Sequence, residues 1–450
     1  MKREKMGVNK SLNRRIVQMT VPTVISNISV PLLGICDTAV AGHMGDERYL
    51  AGLAIGSVMI TTMYWLFGFL RAGTSGLTAT HYGAGDKEGM GASLRNSMVV
   101  AIVIGMFLMA VHSPILGLLQ KAMGASTETT ELSGVYFSIC IKGAVPMMVL
   151  TALTGWFIGM QSTATAMAIN IGMSVLNMAA TLTLVYGFGL GYEGIAMGTV
   201  LAQWVALVPA VCMAYRLCHK NGFNFDATDK IFFDRKDWKA MLNVNSNLFF
   251  RSACLIALSM MLYAYSARIG DVEVGANAVI NQMFLFFSYF MDGFAFTGEA
   301  LTGRYNGAHD YEMLKKAIAA LLKWTVGITA VFMAVYSVAL SPIARLLSDS
   351  ELVAMSVEDC RLWVMLLPLA GAFAFIFDGF YIGLTKTRPM LISTLCGVGL
   401  FAILIHFLSH TQWMLWMAFT CYLGLRSGLL VGLFPFKSIR YQQLMNKKNI

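Results

Sequence analysis

The sequence predicts an all-α integral membrane protein with twelve transmembrane helices in two pseudo-symmetric six-helix lobes. Three observations predict this fold class: the apolar composition, twelve apolar segments and an internal repeat. Of the 450 residues, 57% are hydrophobic and 13% are charged, whereas a soluble domain carries about 25% charged residues. The net charge of +9 does not indicate nucleic-acid binding, because the basic residues fall at the ends of the apolar segments. The expected surroundings are therefore a lipid bilayer.

Twelve segments are long and apolar enough to cross a bilayer, which takes about 20 residues per helix. They are predicted at about 15–41, 50–80, 92–119, 133–159, 164–187, 193–217, 239–267, 274–303, 313–346, 357–383, 389–409 and 412–436. The first segment is too long for the apolar region of a cleavable signal, so we interpret it as a retained span.

The distribution of Lys and Arg predicts the orientation of these spans. The seven segments on the side of the N-terminus hold 23 of these residues and the opposite loops hold five. Because basic residues collect on the cytoplasmic side, both termini are expected in the cytoplasm, in a plasma (bacterial inner) membrane. The predicted domains are an N-terminal lobe at 1–218, a cytoplasmic linker at 219–238, a C-terminal lobe at 239–437 and a cytoplasmic tail at 438–450.

The two halves of the chain resemble each other at an offset of 224 residues. Residues 76–86 align with residues 300–310, and residues 155–159 align with residues 379–383. Both halves start on the same side with six spans, which indicates a parallel repeat about an axis along the membrane normal, as in transporters that alternate access around a central site.

Asp37 lies in the first span, after the uncharged run 16–36. A carboxylate at the centre of a span costs roughly 2.5–3.5 kcal/mol on insertion scales, so such residues are candidates for function. We interpret Asp37 as a site for a proton or a cation; the alternative is a structural ion pair, for example with Lys142. The corresponding position of the second half, near Leu262, is apolar.

Three motifs resemble the multidrug and toxic compound extrusion family, in particular the branch named for DNA-damage-inducible protein F. They are PTVISNISVPLLGICDTAVAGHMG at 22–45, DGFAFTGEALTG at 292–303 and DGFYIGLTKTRPM at 378–390. The resemblance covers essentially the whole chain. It implies a V-shaped arrangement of two six-helix lobes that exports small organic cations or amphipathic drugs in exchange for H⁺ or Na⁺.

The resemblance also implies roles for individual residues. Asp37 matches the essential acid of the first helix, and Asn177 and Thr199 match two polar partners of that acid. A second acid usually lies one turn after the asparagine, and here that position is Thr181. This difference argues against tight Na⁺ binding and favours H⁺. Asp378 matches the acid of the tenth helix, which binds the coupling ion in other branches.

The second half carries its own intramembrane charges. Asp292 and Glu299 are seven residues apart and share one helical face, and with Arg251 they are predicted to form a charge network or to bind an ion or substrate. For Asp378 the same two roles stay open, membership of a charge network or binding of an ion or substrate. Basic residues at other intramembrane positions, Arg71, Lys142 and Arg426, are interpreted as snorkelling or paired.

Two prolines, Pro22 and Pro31, precede Asp37 in the first helix. Each removes a backbone hydrogen bond and permits a bend. Our hypothesis is that protonation of Asp37 alters this bend and closes the substrate cavity.

Other classes of function lack a signal in the sequence. The GxGxxG match at 189–194 lies in a short loop between spans and not after a strand, so we interpret it as a glycine-rich turn. The eight cysteines form no CxxC pair, and we expect neither a metal site beyond weak Na⁺ binding at Asp37 nor a cofactor. The resulting prediction is a monomeric antiporter and not an enzyme. The alternatives are a flippase for lipid-linked saccharides or other amphipathic lipids and, more remotely, an intramembrane enzyme.

Overall fold

Apart from the turns between helices, the protein is helical in the part that the computed structural model describes, which comprises residues 2–44, 47–123, 127–223, 235–408, 411–437 and 439. Residues 224–234 of the predicted linker at 219–238 lie outside this part, and only Ile439 of the predicted tail is described.

Twelve helical segments in this part are long and apolar enough to span a membrane, which confirms the predicted fold class. The spans are Ser11–Gly42, Arg48–Ala84, Lys87–Ala110, Thr127–Gly159, Thr163–Gly187, Gly191–Lys220, Met241–Ile269, Asp271–Gly307, Tyr311–Leu347, Arg361–Gly383, Arg388–Phe407 and Gln412–Gly432. Most of their bounds lie within six residues of the predicted ones, because the length of an apolar run is set by the thickness of the bilayer. The largest difference is at the end of the third span, which was predicted at about 119 and lies at Ala110, where the helix ends before the next helix, His112–Met123, begins.

Some spans consist of more than one helix. The helices of the first half are α1 (Lys2–Gly42), α2 (Glu47–Leu66), α3 (Phe69–Ala84), α4 (Lys87–Ala110), α5 (His112–Met123), α6 (Thr127–Cys140), α7 (Ala144–Gly159), α8 (Thr163–Leu182) and α9 (Gly191–Lys220). A 3₁₀ turn, Ile141–Gly143, joins α6 to α7, and a π-helical turn, Thr183–Gly187, extends α8. The helices of the second half are α10 (Arg235–Ile269), α11 (Asp271–Gly307), α12 (Tyr311–Leu347), α13 (Glu351–Asp359), α14 (Arg361–Gly383), α15 (Arg388–Leu408) and α16 (Gln412–Gly432).

The helices group into two compact units. One unit comprises residues 25–241, and the other comprises residues 1–24 together with residues 242–450. The division within α1 falls after Val24, two residues beyond Pro22. The predicted lobes at 1–218 and 239–437 are stretches related by the repeat, and their boundaries stay a prediction.

The repeat is visible in the backbone of both units. At the offset of 224 residues, the left-handed residue Gly85 corresponds to His309, and the left-handed residue Gln161 corresponds to Thr385. Directly after the first pair, Asp86 and Asp310 both cap a helix, each by accepting a hydrogen bond from the backbone N–H three residues later. Such caps satisfy N–H groups that a helix leaves unpaired, so both halves use the same device to start a span.

The closest helix crossings also repeat. In one unit α7 meets α3, where a Cβ atom on Gly155 would lie 2.2 Å from the carbonyl oxygen of Arg71. In the other unit α14 meets α11, where a Cβ atom on Gly379 would lie 2.2 Å from the carbonyl oxygen of Ala295. Both residues of the second crossing are 224 positions after those of the first. The repeated motif at 155–159 and 379–383 therefore allows two helix backbones to touch, as small residues do in membrane bundles.

Replacing Gly155 with Ala is expected to destabilise its unit by about 1–3 kcal/mol, because overpacking forces the backbones apart. The measurement is thermal unfolding of the purified protein in detergent. Gly172→Ala is the matched control, since a Cβ atom there would meet nothing within 4 Å. Equal unfolding temperatures for the two variants would contradict the crossing.

Candidate functional site

Asp37 lies near the end of α1 and is buried, with 8% of its surface exposed. Val40 and Ala41, one turn later, belong to an apolar cluster with side chains of α2, α6 and α9. The carboxyl group therefore lies next to the region where this helix packs against its neighbours, and little of it is exposed.

Three polar side chains from α8 and α9 continue from Asp37 as one chain of hydrogen bonds. The Thr181 hydroxyl lies 3.5 Å from Oδ1 of Asp37 and 3.3 Å from Oδ1 of Asn177. Asn177 donates from Nδ2 to the Thr199 hydroxyl at 3.0 Å, and Thr199 donates to the carbonyl of Ile195 at 3.4 Å. The structure thus brings together all four residues that the sequence analysis assigned to this site.

Local sequence explains why this chain of hydrogen bonds can form. Asn177 and Thr181 are four residues apart and so lie on one face of α8. Gly198 precedes Thr199, and a Cβ atom there would lie 2.5 Å from the Thr181 hydroxyl. The absence of a side chain at Gly198 therefore lets α9 approach α8 at Thr181.

The π-helical turn Thr183–Gly187 begins two residues after Thr181. Turns of this kind are rare and occur frequently at functional sites, because the extra residue redirects the side chains. The sequence analysis missed this turn, since a single inserted residue leaves no periodic signal in an apolar helix.

The partners of Asp37 in the described part of the chain are neutral. No ion pair involving Asp37 occurs among the described residues. Lys142 instead lines an open crevice of about 590 Å³ together with Glu131 and Glu193. The carboxyl group of Asp37 is thus free to change its charge without breaking a salt bridge to a described residue.

A second group of charged residues lies in the other unit. Asp378 on α14 forms ion pairs with Arg251 on α10 and with Arg426 on α16. The three side chains are 10%, 18% and 6% exposed, respectively. Tyr422, one turn before Arg426, accepts a further hydrogen bond from it at 3.4 Å. We call the set Arg251, Asp378 and Arg426 the arginine cluster.

The arginine cluster includes a partner that the sequence analysis did not assign to Asp378. Arg426 was interpreted only as snorkelling or paired, and it is paired with an acid 48 residues earlier in the chain. The available signal was general: an arginine inside a span needs an acid. Arg251 was grouped with Asp292 and Glu299, and the structure pairs it with Asp378.

Asp292 and Glu299 lie on α11, on either side of the place where the middle of α1 packs. A Cβ atom on Gly293 would lie 2.5 Å from the side chain of Val24, and the hydroxyls of Thr20 and Thr297 are 2.8 Å apart. Glu299 is fully buried and Asp292 is half-buried. Pro22 therefore lies in the segment of α1 that contacts α11.

Comparisons with known proteins identify the class. Buried charges inside twelve apolar helices are typical of a membrane transporter. The family model described as MatE matches residues 22–183 and 248–408. The chain therefore belongs to the MatE family, the multidrug and toxic compound extrusion transporters, and it is a multi-pass membrane protein. The family is one of transporters and not of enzymes.

Two curated relatives and one solved structure illustrate the match. The chain is 28% identical to "DNA damage-inducible protein F" of Escherichia coli (strain K12), over 95% of this chain and 93% of the relative. It is 22% identical to "Probable multidrug resistance protein NorM" of Synechocystis sp., over 97% of this chain and 96% of the relative. A structure described as "Crystal structure of MATE in the bent conformation" has a TM-score of 0.85 at 20% identity and covers 96% of this chain and 97% of that chain.

Proposed function

We propose that this protein is a secondary antiporter that exports cationic or amphipathic organic compounds in exchange for H⁺. It works as a monomer in the bacterial inner membrane, with both termini in the cytoplasm. The name of the Synechocystis relative, a probable multidrug resistance protein, supports the substrate class, and the excess of Lys and Arg in alternate loops supports the orientation.

The observation that carries this proposal is the burial of Asp37 among neutral partners. An ionised carboxylate there keeps a full negative charge that no described basic residue balances, and buried charges are costly unless paired. Binding of a proton or of a cationic substrate neutralises that charge. Because both cannot bind the same carboxylate at once, one acid suffices to couple their opposite movements.

The hydrogen bonds of the Thr181 hydroxyl depend on whether Asp37 is protonated. A hydroxyl has one proton to donate and lone pairs to accept. With Asp37 ionised, Thr181 donates to its carboxylate. With Asp37 protonated, the carboxyl group donates to Thr181, and the Thr181 proton turns to Oδ1 of Asn177, 3.3 Å away. A change on α1 thereby changes hydrogen bonds on α8 and α9.

The same geometry favours H⁺ over Na⁺ as the coupling ion. A hard cation collects several oxygen ligands and prefers anionic ones. In the described part of this site Asp37 supplies the single carboxylate, while Thr181, Asn177 and Thr199 supply neutral oxygens. With threonine at position 181, the site has enough oxygens to hydrogen-bond a carboxyl group. Its described residues supply too few anionic oxygens to bind Na⁺ tightly.

Pro22 and Pro31 give α1 two places to bend in response. Each proline lacks the N–H that would bond to the carbonyl four residues earlier. The two compact units divide within α1 after Val24, two residues beyond Pro22, so a change of bend at Pro22 would act close to this division. We propose that protonation of Asp37 changes this bend and that the substrate cavity then closes.

Efflux from proteoliposomes under separately imposed H⁺ and Na⁺ gradients tests the proposal. A H⁺ gradient alone is expected to drive export of a fluorescent organic cation, and a Na⁺ gradient at equal pH is expected to add nothing. Efflux driven only by Na⁺ would overturn the proposed coupling. Gradient-independent movement of a lipid-linked saccharide, with no cation efflux, would point to a flippase.

A further inference from the structure

The arginine cluster carries more positive than negative charge. Two guanidinium groups share the single carboxylate of Asp378, and both donate to the same oxygen, Oδ2. Arginine stays protonated inside proteins, so the three side chains together carry one net positive charge. Within the described residues no other acid forms an ion pair with Arg251 or Arg426.

The cluster also leaves hydrogen-bonding atoms unused. The Nε atoms of Arg251 and Arg426 and Oδ1 of Asp378 are buried and have no hydrogen-bond partner. A buried donor or acceptor without a partner costs about 1–3 kcal/mol, and more if the group is charged. Three such atoms in one ion-paired group are therefore not explained by stabilisation of the fold.

The net positive charge of the arginine cluster and its unused N–H donors together indicate that it binds a negatively charged ligand. We infer that the arginine cluster is a binding site for a monovalent anion, either a halide or a carboxylate group. A negative charge beside the two guanidinium groups would balance the cluster and accept hydrogen bonds from them, as carboxylates do from arginine. The third unused atom is Oδ1 of Asp378. It would accept a hydrogen bond from an N–H or O–H group of the ligand that lies next to the ligand's own carboxylate.

The ligand can reach the cluster from the side of Arg251. This side chain is 18% exposed, whereas that of Arg426 is 6% exposed. Arg426 is anchored further by Tyr422 on its own helix. Arg251 is thus the more exposed of the two arginines and Arg426 the more deeply buried. The site lies in a different unit from Asp37, and binding of an inorganic anion there does not depend on the proposed antiport.

The negative charge bound at the arginine cluster could come from two sources, an inorganic anion or a carboxylate of the transported compound. The Arg251–Asp378–Arg426 set would bind either one through the same guanidinium groups. A zwitterionic substrate would place its carboxylate here, and the methyl ester of that substrate would not.

Isothermal titration calorimetry of the full-length protein in detergent, in a sulfate buffer of constant ionic strength, tests this inference. Chloride or acetate is expected to bind saturably at one site per chain. Arg426→Met should weaken binding about tenfold or more, since a hydrogen bond to a charged group is lost. This variant keeps the Arg251–Asp378 pair and leaves the cluster with no net charge, so it is expected to fold. Arg251→Met serves the same purpose if Arg426→Met does not.

Lys142→Met is the matched control, because it removes a positive charge from the other unit and should leave the affinity unchanged. Absence of saturable binding of both anions, or equal affinity in Arg426→Met, would overturn the inference. Titration of a zwitterionic drug and its methyl ester separates the two sources. If chloride weakens binding of the zwitterion alone, the substrate carboxylate occupies the site; if chloride affects neither, the site holds an inorganic anion.

Discussion

Replacing Asp37 by Asn is expected to abolish proton-driven export while the protein remains folded. Asparagine has nearly the same shape and still offers an oxygen to the Thr181 hydroxyl, which lies 3.5 Å from Oδ1 of Asp37. It cannot change its charge, so it can neither take up a proton nor attract a cation. Since the partners of Asp37 are neutral, the substitution leaves no described buried charge unbalanced.

The measurement is the initial rate of efflux from proteoliposomes under an imposed H⁺ gradient. The rate of Asp37→Asn is expected to fall to that of protein-free vesicles. Asp86→Asn is the matched control, because Asp86 is an aspartate of the same unit that caps α4 outside the apolar spans. It should retain the rate of the unaltered protein. Export by Asp37→Asn that still depends on pH would contradict the assignment of Asp37 as the proton site.

Replacing Asp378 by Asn is expected to have the larger effect on stability. The substitution leaves Arg251 and Arg426 buried without a counter-ion, and breaking a buried ion pair by removing one partner costs about 3–5 kcal/mol. The contrast with Asp37→Asn is the informative feature. The two aspartates are similarly buried, with 8% and 7% of the whole residue exposed, but their variants should differ widely in stability because only Asp378 is paired with arginines.

Unfolding in denaturing detergent, followed by circular dichroism, checks this expectation. The double variant Asp378→Asn/Arg426→Met has the same net charge at the cluster as the unaltered protein. It is therefore expected to recover a large part of the lost stability. If Asp378→Asn unfolds at the same detergent concentration as Asp37→Asn, the two arginines do not depend on Asp378.

The spans could be predicted because membrane crossing is a property of consecutive residues. A run of about 20 apolar residues is required wherever a helix crosses, so Asp271–Gly307 and Gln412–Gly432 follow from composition alone. The repeat could be predicted for a related reason. Its motifs at 155–159 and 379–383 hold glycines at helix crossings, and only a glycine permits a backbone contact that close.

The pairing of charged side chains could not be predicted in the same way. Arg251 and Asp378 are 127 residues apart, and Arg426 lies 48 residues beyond Asp378. Which of several intramembrane acids meets which arginine depends on the rotation and depth of each packed helix, and hydropathy does not contain these quantities. The neighbours of Asp37 came instead from resemblance to a family, and the structure then supplied the order of the hydrogen bonds.

Proton movement during export is the measurement that tests the role of Asp37 most directly. Proteoliposomes carry a pH-sensitive dye inside, and an organic cation is added at equal pH on both sides. Downhill movement of the cation is expected to drive protons the opposite way in the unaltered protein and to move none in Asp37→Asn. Proton counter-movement of equal size in Asp37→Asn would contradict it.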